Sequence, residues 1–313
     1  MKVKKILITG GSGYIGSMLA TKLIFLGHKV AVIDINKYSN SSLLHLLSYK
    51  NFKFIKGDVR ERKIIKKYIK NYDYIIPLAG LVGAPLCDKN KKEAVEINLD
   101  SISMLLENLD NSKKVIFLTT NSGYGIGDKK KFCSEESPLK PVSLYGVTKV
   151  NAEKQVMSRK NSISLRLATV FGYSFRMRTD LLVNNFVHTA VKNKKLELYE
   201  SNFRRNFIHI QDVVDGIIFM INNFSKCKNE VYNLGLSTAN IDKLGLAKKI
   251  KKIIKDLKIT KIKNQKDPDK RDYFVSNKKI EKKGFKAKIS LEEGINELVN
   301  IYLFENKKYK NNY

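Results

Sequence analysis

Seven residues near the start of the chain, Gly10-Gly11-Ser12-Gly13-Tyr14-Ile15-Gly16, constrain the fold more than any other segment. An apolar strand pattern over 4–9 runs into them, and a helical pattern over 14–26 runs out. Glycines allow the tight turn between the two and let backbone amides approach an anion at the positive end of the helix. The spacing of Gly10, Gly13 and Gly16 is three and three, not the two-then-three of the simplest dinucleotide fingerprint. Asp34, 18 residues beyond Gly16, closes the next strand pattern at 29–34. A carboxylate there accepts from adenosine ribose hydroxyls and repels a 2′-phosphate, which favours NAD over NADP, although Lys37 stands nearby.

The rest of the first half continues the alternation. Strand patterns at 52–55, 74–78 and 114–119 alternate with helical ones at 61–69 and 93–109, and a further buried strand lies at 162–168. Apolar strands alternating with helices imply an α/β fold with a parallel doubly wound sheet. Beyond it the pattern is mixed, with helices expected at 180–191, 213–221, 241–257 and 291–304. Short strands are expected at 196–199, 206–209 and 231–234. We divide the chain into a dinucleotide-binding domain at 1–170, a smaller α/β substrate lobe at 171–306 and a flexible tail at 307–313. The 313 residues suffice for a large core of that kind.

The net charge of +29 raises the question of a polyanion partner. Only nine of the 59 basic residues are Arg, and the lysines spread from Lys2 to Lys310 at helix positions expected to face solvent. The densest run, 248–270, is periodic enough to be a solvated amphipathic helix. Nucleic acid is therefore not the expected partner. The apolar stretch at the N-terminus breaks at Gly10-Gly11, too short for a signal sequence, and no run is long enough for a membrane span. Three widely spaced cysteines suggest neither a disulfide framework nor a metal knuckle, and the four histidines are scattered, so no metal is expected and the cytoplasm is the default location.

Tyr145 and Lys149 lie four apart in a helical pattern that runs to Arg159, and so share one helical face. A phenol titrates near ~10 and is a poor base at neutral pH, but a neighbouring cation stabilises the phenolate. Lowering that value to ~7 requires about 4 kcal/mol of differential stabilisation. A surface i,i+4 pair is the alternative reading of the two residues. Asp58-Val59, just past the third strand, either caps the following helix or touches adenine. Gly83-Ala84-Pro85 follows the fourth strand on the ligand-binding edge and either shapes a pocket or forms a tight loop. His209, between Ile208 and Ile210, reads as a packed structural histidine.

Taken together, Gly10-x-x-Gly13-x-x-Gly16, Asp34, Asp58-Val59, Thr120 and Tyr145-x-x-x-Lys149 resemble the extended short-chain dehydrogenase/reductase family, of the nucleotide-sugar epimerase/dehydratase type. Later blocks also resemble it: Arg166 to Gly172, Arg205 to His209 and Val231 to Gly235. Four segments (77–87, 121–127, 176–178 and 267–273) resemble, more narrowly, a branch containing GDP-manno-heptose 4-dehydrogenases of capsule polysaccharide synthesis. The resemblance implies a Rossmann fold and NAD as cofactor. It also implies a nucleotide-sugar substrate and a homodimer built on the helices at 93–109 and 145–159.

By the same resemblance Tyr145 is the base, Lys149 holds the nicotinamide ribose and, assisted by the cationic ring of NAD, lowers the Tyr145 pKa, and Thr120 relays or orients the proton of the reacting hydroxyl. Cofactor contacts fall on Gly10, Gly13, Tyr14, Ile15, Gly16, Asp34, Asn36, Asp58, Val59, Leu78, Ala79 and Lys149. Substrate contacts fall on Gly83, Ala84, Asn121, Ser122, Thr169, Arg176, Arg178, Asn184, Arg205 and Arg271. The arginines can clamp a diphosphate with forked donors, although Arg176 and Arg178 fit equally as ion-pairing loop residues. Sugar-nucleotide 4,6-dehydratases resembling this chain have Asp-Glu after the Ser/Thr, where this chain has Asn121-Ser122. Asn and Ser cannot cycle a proton near pH 7, so water elimination is disfavoured and oxidation at C4, as a 4-dehydrogenase or a 4-epimerase, is the expected chemistry. The reading from another class is a non-catalytic Rossmann-type NAD(P)- or polyanion-binding regulator.

Overall fold

A computed structural model describes residues 2–38, 41–128, 131–262 and 271–304. The expected tail at 307–313 and the segment 267–270 lie outside the described residues.

The strands are β1 (Lys5–Thr9), β2 (Lys29–Asp34), β3 (Phe52–Lys56), β4 (Tyr74–Pro77), β5 (Lys114–Thr120), β6 (Ser162–Leu167), β7 (Thr169–Phe171), β8 (Lys195–Leu198), β9 (Arg204–His209), β10 (Glu230–Leu234), β11 (Asn240–Asp242) and β12 (Lys258–Lys261). The helices are α1 (Tyr14–Phe25), α2 (Arg62–Ile69), α3 (Ala84–Lys89), α4 (Lys91–Val95), α5 (Ser101–Glu107), α6 (Leu144–Met157), α7 (Leu182–Asn193), α8 (Ile210–Asn222), α9 (Phe224–Cys227), α10 (Lys243–Ile253), α11 (Lys278–Lys282) and α12 (Leu291–Phe304).

Seven strands form one parallel sheet in the order β10-β6-β5-β4-β1-β2-β3. Buried on both faces, β1, β2, β4 and β5 are near-continuous runs of Ile, Val and Leu, as a parallel sheet covered by helices requires. The order reverses between β1 and β4, and this switch point opens a crevice at the carboxyl ends of the strands. Short sheets β11-β9-β7 and β12-β8 build the second lobe around its own core, which includes Phe171, Val187, Phe207, Leu246 and Leu298.

Three expectations are corrected. The second lobe is not the contiguous block 171–306: β10 joins the central sheet beside β6, and α8 packs its apolar face against α1. The helix expected at 241–257 is instead β11, α10 and β12. Asp242 accepts from the Gly245 amide at 2.6 Å, which starts the helix one residue later, and residues 240–242 pair antiparallel with β9. The helix expected at 93–109 carries a π-helical segment, Glu96–Asp100, between α4 and α5. Within that segment Asn98 turns inward, and its amide both donates to and accepts from the Leu81 backbone, at 2.9 and 2.8 Å.

Candidate active site

The crevice holds a cavity of about 520 Å³ that reaches from the glycine turn to the second lobe. At its first end the turn has no room for side chains. Gly10 has φ +70, and a Cβ there would lie 2.4 Å from the Ala79 nitrogen; one on Gly16 would lie 2.5 Å from the Gly10 carbonyl oxygen. Asp34 is held by the Ser12 amide at 2.9 Å and the Asn36 amide at 2.8 Å, and burial raises its pKa. The carboxylate lines the cavity, where it can accept from a pair of hydroxyls. Lys37 reaches Glu93 at 3.4 Å and does not pair with Asp34. Tight glycines, a helix N-terminus and a carboxylate closing β2 fit the diphosphate and ribose of a dinucleotide.

Several residues expected to contact the cofactor need finer placement. Ile15, Val59, Leu78 and Ala79 line the cavity, as do Gly13 and Asn36. The Tyr14 hydroxyl points away from the turn and donates to the Gly172 carbonyl at 2.7 Å, tying α1 to the second lobe. Asp58 also lines the cavity, but it does not cap α2, whose N-cap is Glu61. Its carboxylate accepts from the Arg60 amide at 2.9 Å and from the Arg60 guanidinium, which holds its pKa down.

The same cavity is lined by Thr120 at the end of β5 and by Tyr145 and Lys149 on the first turns of α6. Ser143 accepts from the Gly146 amide at 3.2 Å and so starts α6 where Tyr145 faces the crevice. In the protein alone, the crevice sets the pKa of the pair by burial. Burial pushes the Tyr145 phenol up to about 12, and the charges of Arg271 and Arg178 pull it down only in part. Burial pushes the Lys149 ammonium down to about 7. Both charged forms lose water in the crevice, and that loss dominates each pKa. The Lys149 ammonium sits 4.1 Å from the Phe117 ring centroid, a contact that partly replaces water.

The four arginines all line the cavity but stand in different places. Arg205, 2% exposed, donates to the Arg204 carbonyl at 2.8 Å and to the Arg271 carbonyl, and so holds Arg271 at the far end. Arg178 is an ion-pairing loop residue, joined to Asp180. Arg176 lies 4.8 Å over the Tyr38 ring, four residues past Asp34. Its loop crosses the start of α1, where Ser174 donates to the Tyr14 carbonyl, so Arg176 reaches the glycine-turn end of the cavity. Burial and the neighbouring Arg178 push its pKa down to about 10, and Asp180 offsets this only in part.

Gly83 and Ala84 line the cavity, and Gly83 has φ +105 at the start of α3. Ser122 and Thr169 face the cavity as well. Asn121 and Asn184 do not. Asn121 turns into the wall and is 1% exposed. The Asn184 side chain is consumed by Gly172, accepting from its amide at 3.0 Å, and donates to the Arg178 carbonyl at 2.8 Å. It braces the loop at 172–178 and is not placed to touch a ligand. His209 is buried, accepts from the Gln211 amide through Nδ1 and therefore donates through Nε2 to Glu297 at 2.8 Å. Sequence reasoning missed Tyr38, Ser143, Asp180, Asn185, Lys243 and Tyr273, which also line the cavity. Ser143 carried a readable signal, a capping residue just before Tyr145; Tyr38 and Lys243 carried none.

Comparison with known proteins gives a consistent result. Residues 6–235 match the model of the NAD dependent epimerase/dehydratase family. The chain is 30% identical to the uncharacterized protein MJ1055 of Methanocaldococcus jannaschii, over 99% of each chain. It is 28% identical to dTDP-D-glucose 4,6-dehydratase of Dictyostelium discoideum, over 79% of this chain and 62% of that one. Among solved structures it resembles UDP-glucuronic acid 4-epimerase from Bacillus cereus in complex with UDP-glucuronic acid and NAD. The TM-score is 0.83 at 24% identity, covering 96% of this chain and 99% of that chain.

Proposed function

The chain belongs to the NAD dependent epimerase/dehydratase family and its coenzyme is NAD; from that premise we propose that it oxidises C4 of a nucleotide-activated sugar. The observation that carries this reading is that Thr120, Tyr145 and Lys149 line one cavity together with Asp34, Arg205 and Arg271. A dinucleotide extended from Asp34 and a sugar nucleotide extended from the arginines meet at those three residues.

NAD, when bound, supplies the hydride acceptor and a positively charged nicotinamide ring. Tyr145 takes the proton of the sugar hydroxyl, and Thr120 hydrogen-bonds the same oxygen. Without a ligand Tyr145 is a neutral phenol, because burial holds its pKa near 12. The binding of cationic groups in the crevice therefore switches it towards a base. Lys149, whose ammonium burial pushes down to about 7, can donate a proton beside it. Arg205 stands at the diphosphate end of the substrate, and Arg176 and the glycine turn hold the coenzyme.

Asn121-Ser122 offers no carboxyl to protonate a leaving hydroxyl, which favours a ketone product, either released or reduced from its opposite face, over elimination of water. The segments at 77–87, 121–127 and 176–178 support a GDP-heptose-like substrate in surface polysaccharide synthesis. In a homodimer, α5 and α6 would meet the same helices of a second copy. Among the described residues no helix is long and apolar enough to cross a membrane.

Purified NAD-loaded protein incubated with GDP-heptoses, GDP-hexoses and UDP-hexoses tests the proposal, with product configuration followed by NMR. A 4-keto sugar or a C4 epimer is expected, and Tyr145→Phe abolishes its formation while NAD still binds. A 4-keto-6-deoxy product would sink the oxidation-only reading. A wild type that binds NAD but converts no sugar nucleotide would favour a regulatory protein.

A further inference from the structure

We propose that Arg271 is a positioning residue that acts through Ser122 to fix the Thr120 hydroxyl as a hydrogen-bond donor to the sugar oxygen that loses its proton. The inference rests on the proposed oxidation at C4 and deepens it. It follows from counting donors and acceptors in a short chain of contacts. An Arg271 Nη donates to Ser122 Oγ, and Ser122 Oγ lies 2.8 Å from Thr120 Oγ1. The Ser122 amide also donates to Thr120 Oγ1, at 3.1 Å.

A guanidinium only donates, so one lone pair of Ser122 Oγ is filled by Arg271. Ser122 is 1% exposed, and its hydroxyl proton needs a partner inside the protein. Among the described contacts of Ser122 Oγ, Thr120 Oγ1 is the acceptor that remains. With the Ser122 hydroxyl and the Ser122 amide both donating to it, Thr120 Oγ1 has no lone pair left. Its own proton then points into the cavity, and Thr120 serves the substrate only as a donor.

Polarity in this chain runs from the cation outward: Arg271 to Ser122, Ser122 to Thr120, Thr120 to the sugar oxygen. A hydrogen bond of that polarity stabilises the oxygen as its own proton leaves for Tyr145. It also bars Thr120 from passing that proton on, which the resemblance had left open. The charge of Arg271 acts on Tyr145 in the same sense, pulling its phenol down against the effect of burial. Ser122 stands where related dehydratases carry an acid, and in this chain it becomes the link between the cation and Thr120.

A double-mutant cycle with Arg271→Met and Ser122→Ala tests the assignment, using NAD-loaded protein and the sugar nucleotide turned over in the NMR panel. Each single variant is expected to lose about 10–100-fold in kcat with KM within about threefold, because the donor matters more to the transition state than to the bound substrate. The double variant is expected to lose no more than the worse single, since both break one chain. Binding of UDP and GDP, measured by calorimetry, is expected to stay within about threefold in Ser122→Ala, which also reports that the crevice is folded. If Arg271→Met does not fold, the same cycle is run with Ser122→Ala and Thr120→Val, with the same non-additivity expected.

Additive losses overturn the assignment. So does a Ser122→Ala variant with unchanged kcat, or an Arg271→Met variant that raises KM and weakens UDP and GDP binding while kcat stays constant. A wild type inactive toward every sugar nucleotide overturns this inference together with the functional reading. An active wild type with additive losses overturns this inference alone.

Discussion

Burial of charge governs the chemistry at single residues in this crevice. Lys149 carries an ammonium whose pKa falls from the ordinary value near 10.5 to about 7, because the cavity wall removes its water. The unfolded chain therefore binds more protons than the folded one between pH 7 and pH 10.5, and stability rises with pH across that window. Lys149→Met removes the penalty. It is expected to unfold at higher urea than the wild type at pH 6.5, by about 2 kcal/mol. That figure is discounted because Lys149 lines an open cavity. The gap should close as pH approaches 10; a gap independent of pH would mean that the gain comes from packing alone. Tyr145, held near 12, shows why the pair needs its ligands: neither residue has its working protonation state fixed by the other alone.

Two elements hold these residues in place. Helix α6 is fastened to β6 by a buried ion pair one turn beyond Lys149, with Arg166 Nη2 2.7 Å from Glu153 Oε1 and Ser164 donating to Glu153 at 2.8 Å. Removing one partner strands the other charge in the interior. Glu153→Gln is thus expected to cost about 3 kcal/mol, read as a lower denaturant midpoint. No change in the midpoint would show that water reaches Arg166. The second element is the loop at 172–178, which crosses from the second lobe over the start of α1. Ser174 donates to the Tyr14 carbonyl at 2.7 Å, Tyr14 donates to Gly172, and Arg176 lies over Tyr38. Because this loop carries Arg176 to the glycine-turn end, Arg176→Ala is expected to weaken NAD about tenfold, or ~1.4 kcal/mol, while UDP binding moves less than twofold, both by calorimetry. The reverse pattern would return Arg176 to the substrate.

At the scale of the whole molecule, the central sheet draws strands from both halves of the chain. Residues 210–234 leave the second lobe to supply α8, which covers α1, and β10, which covers the edge of β6. A fragment ending at residue 170 lacks both, leaving an apolar helix face and an open parallel edge in water. It is expected to show no cooperative thermal transition and to bind a hydrophobic dye, whereas residues 1–304 unfold cooperatively. A cooperative melt for the short fragment would restore the simple two-domain division.

The sheet, the glycine turn, Asp34 and the Tyr145–Lys149 pair were legible in the sequence because each rests on short-range regularity. Strands buried on both faces are apolar throughout, glycine marks a turn without room for a Cβ, and a spacing of four fixes a helical face. The start of α10 could have been read from Asp242, a capping residue, but the π segment at 96–100 has no local signature. Only the tertiary structure decided which strand completes the sheet, where each arginine points and how the crevice sets protonation. Arg176, Arg178, Arg205 and Arg271 look equivalent as a sequence pattern. Folding gives one to Tyr38, one to Asp180, one to the backbone at 271 and one to Ser122. Partner choice and desolvation depend on what lies across the cavity, often 20 to 150 residues away in the chain. Spacing along the chain carries no record of it.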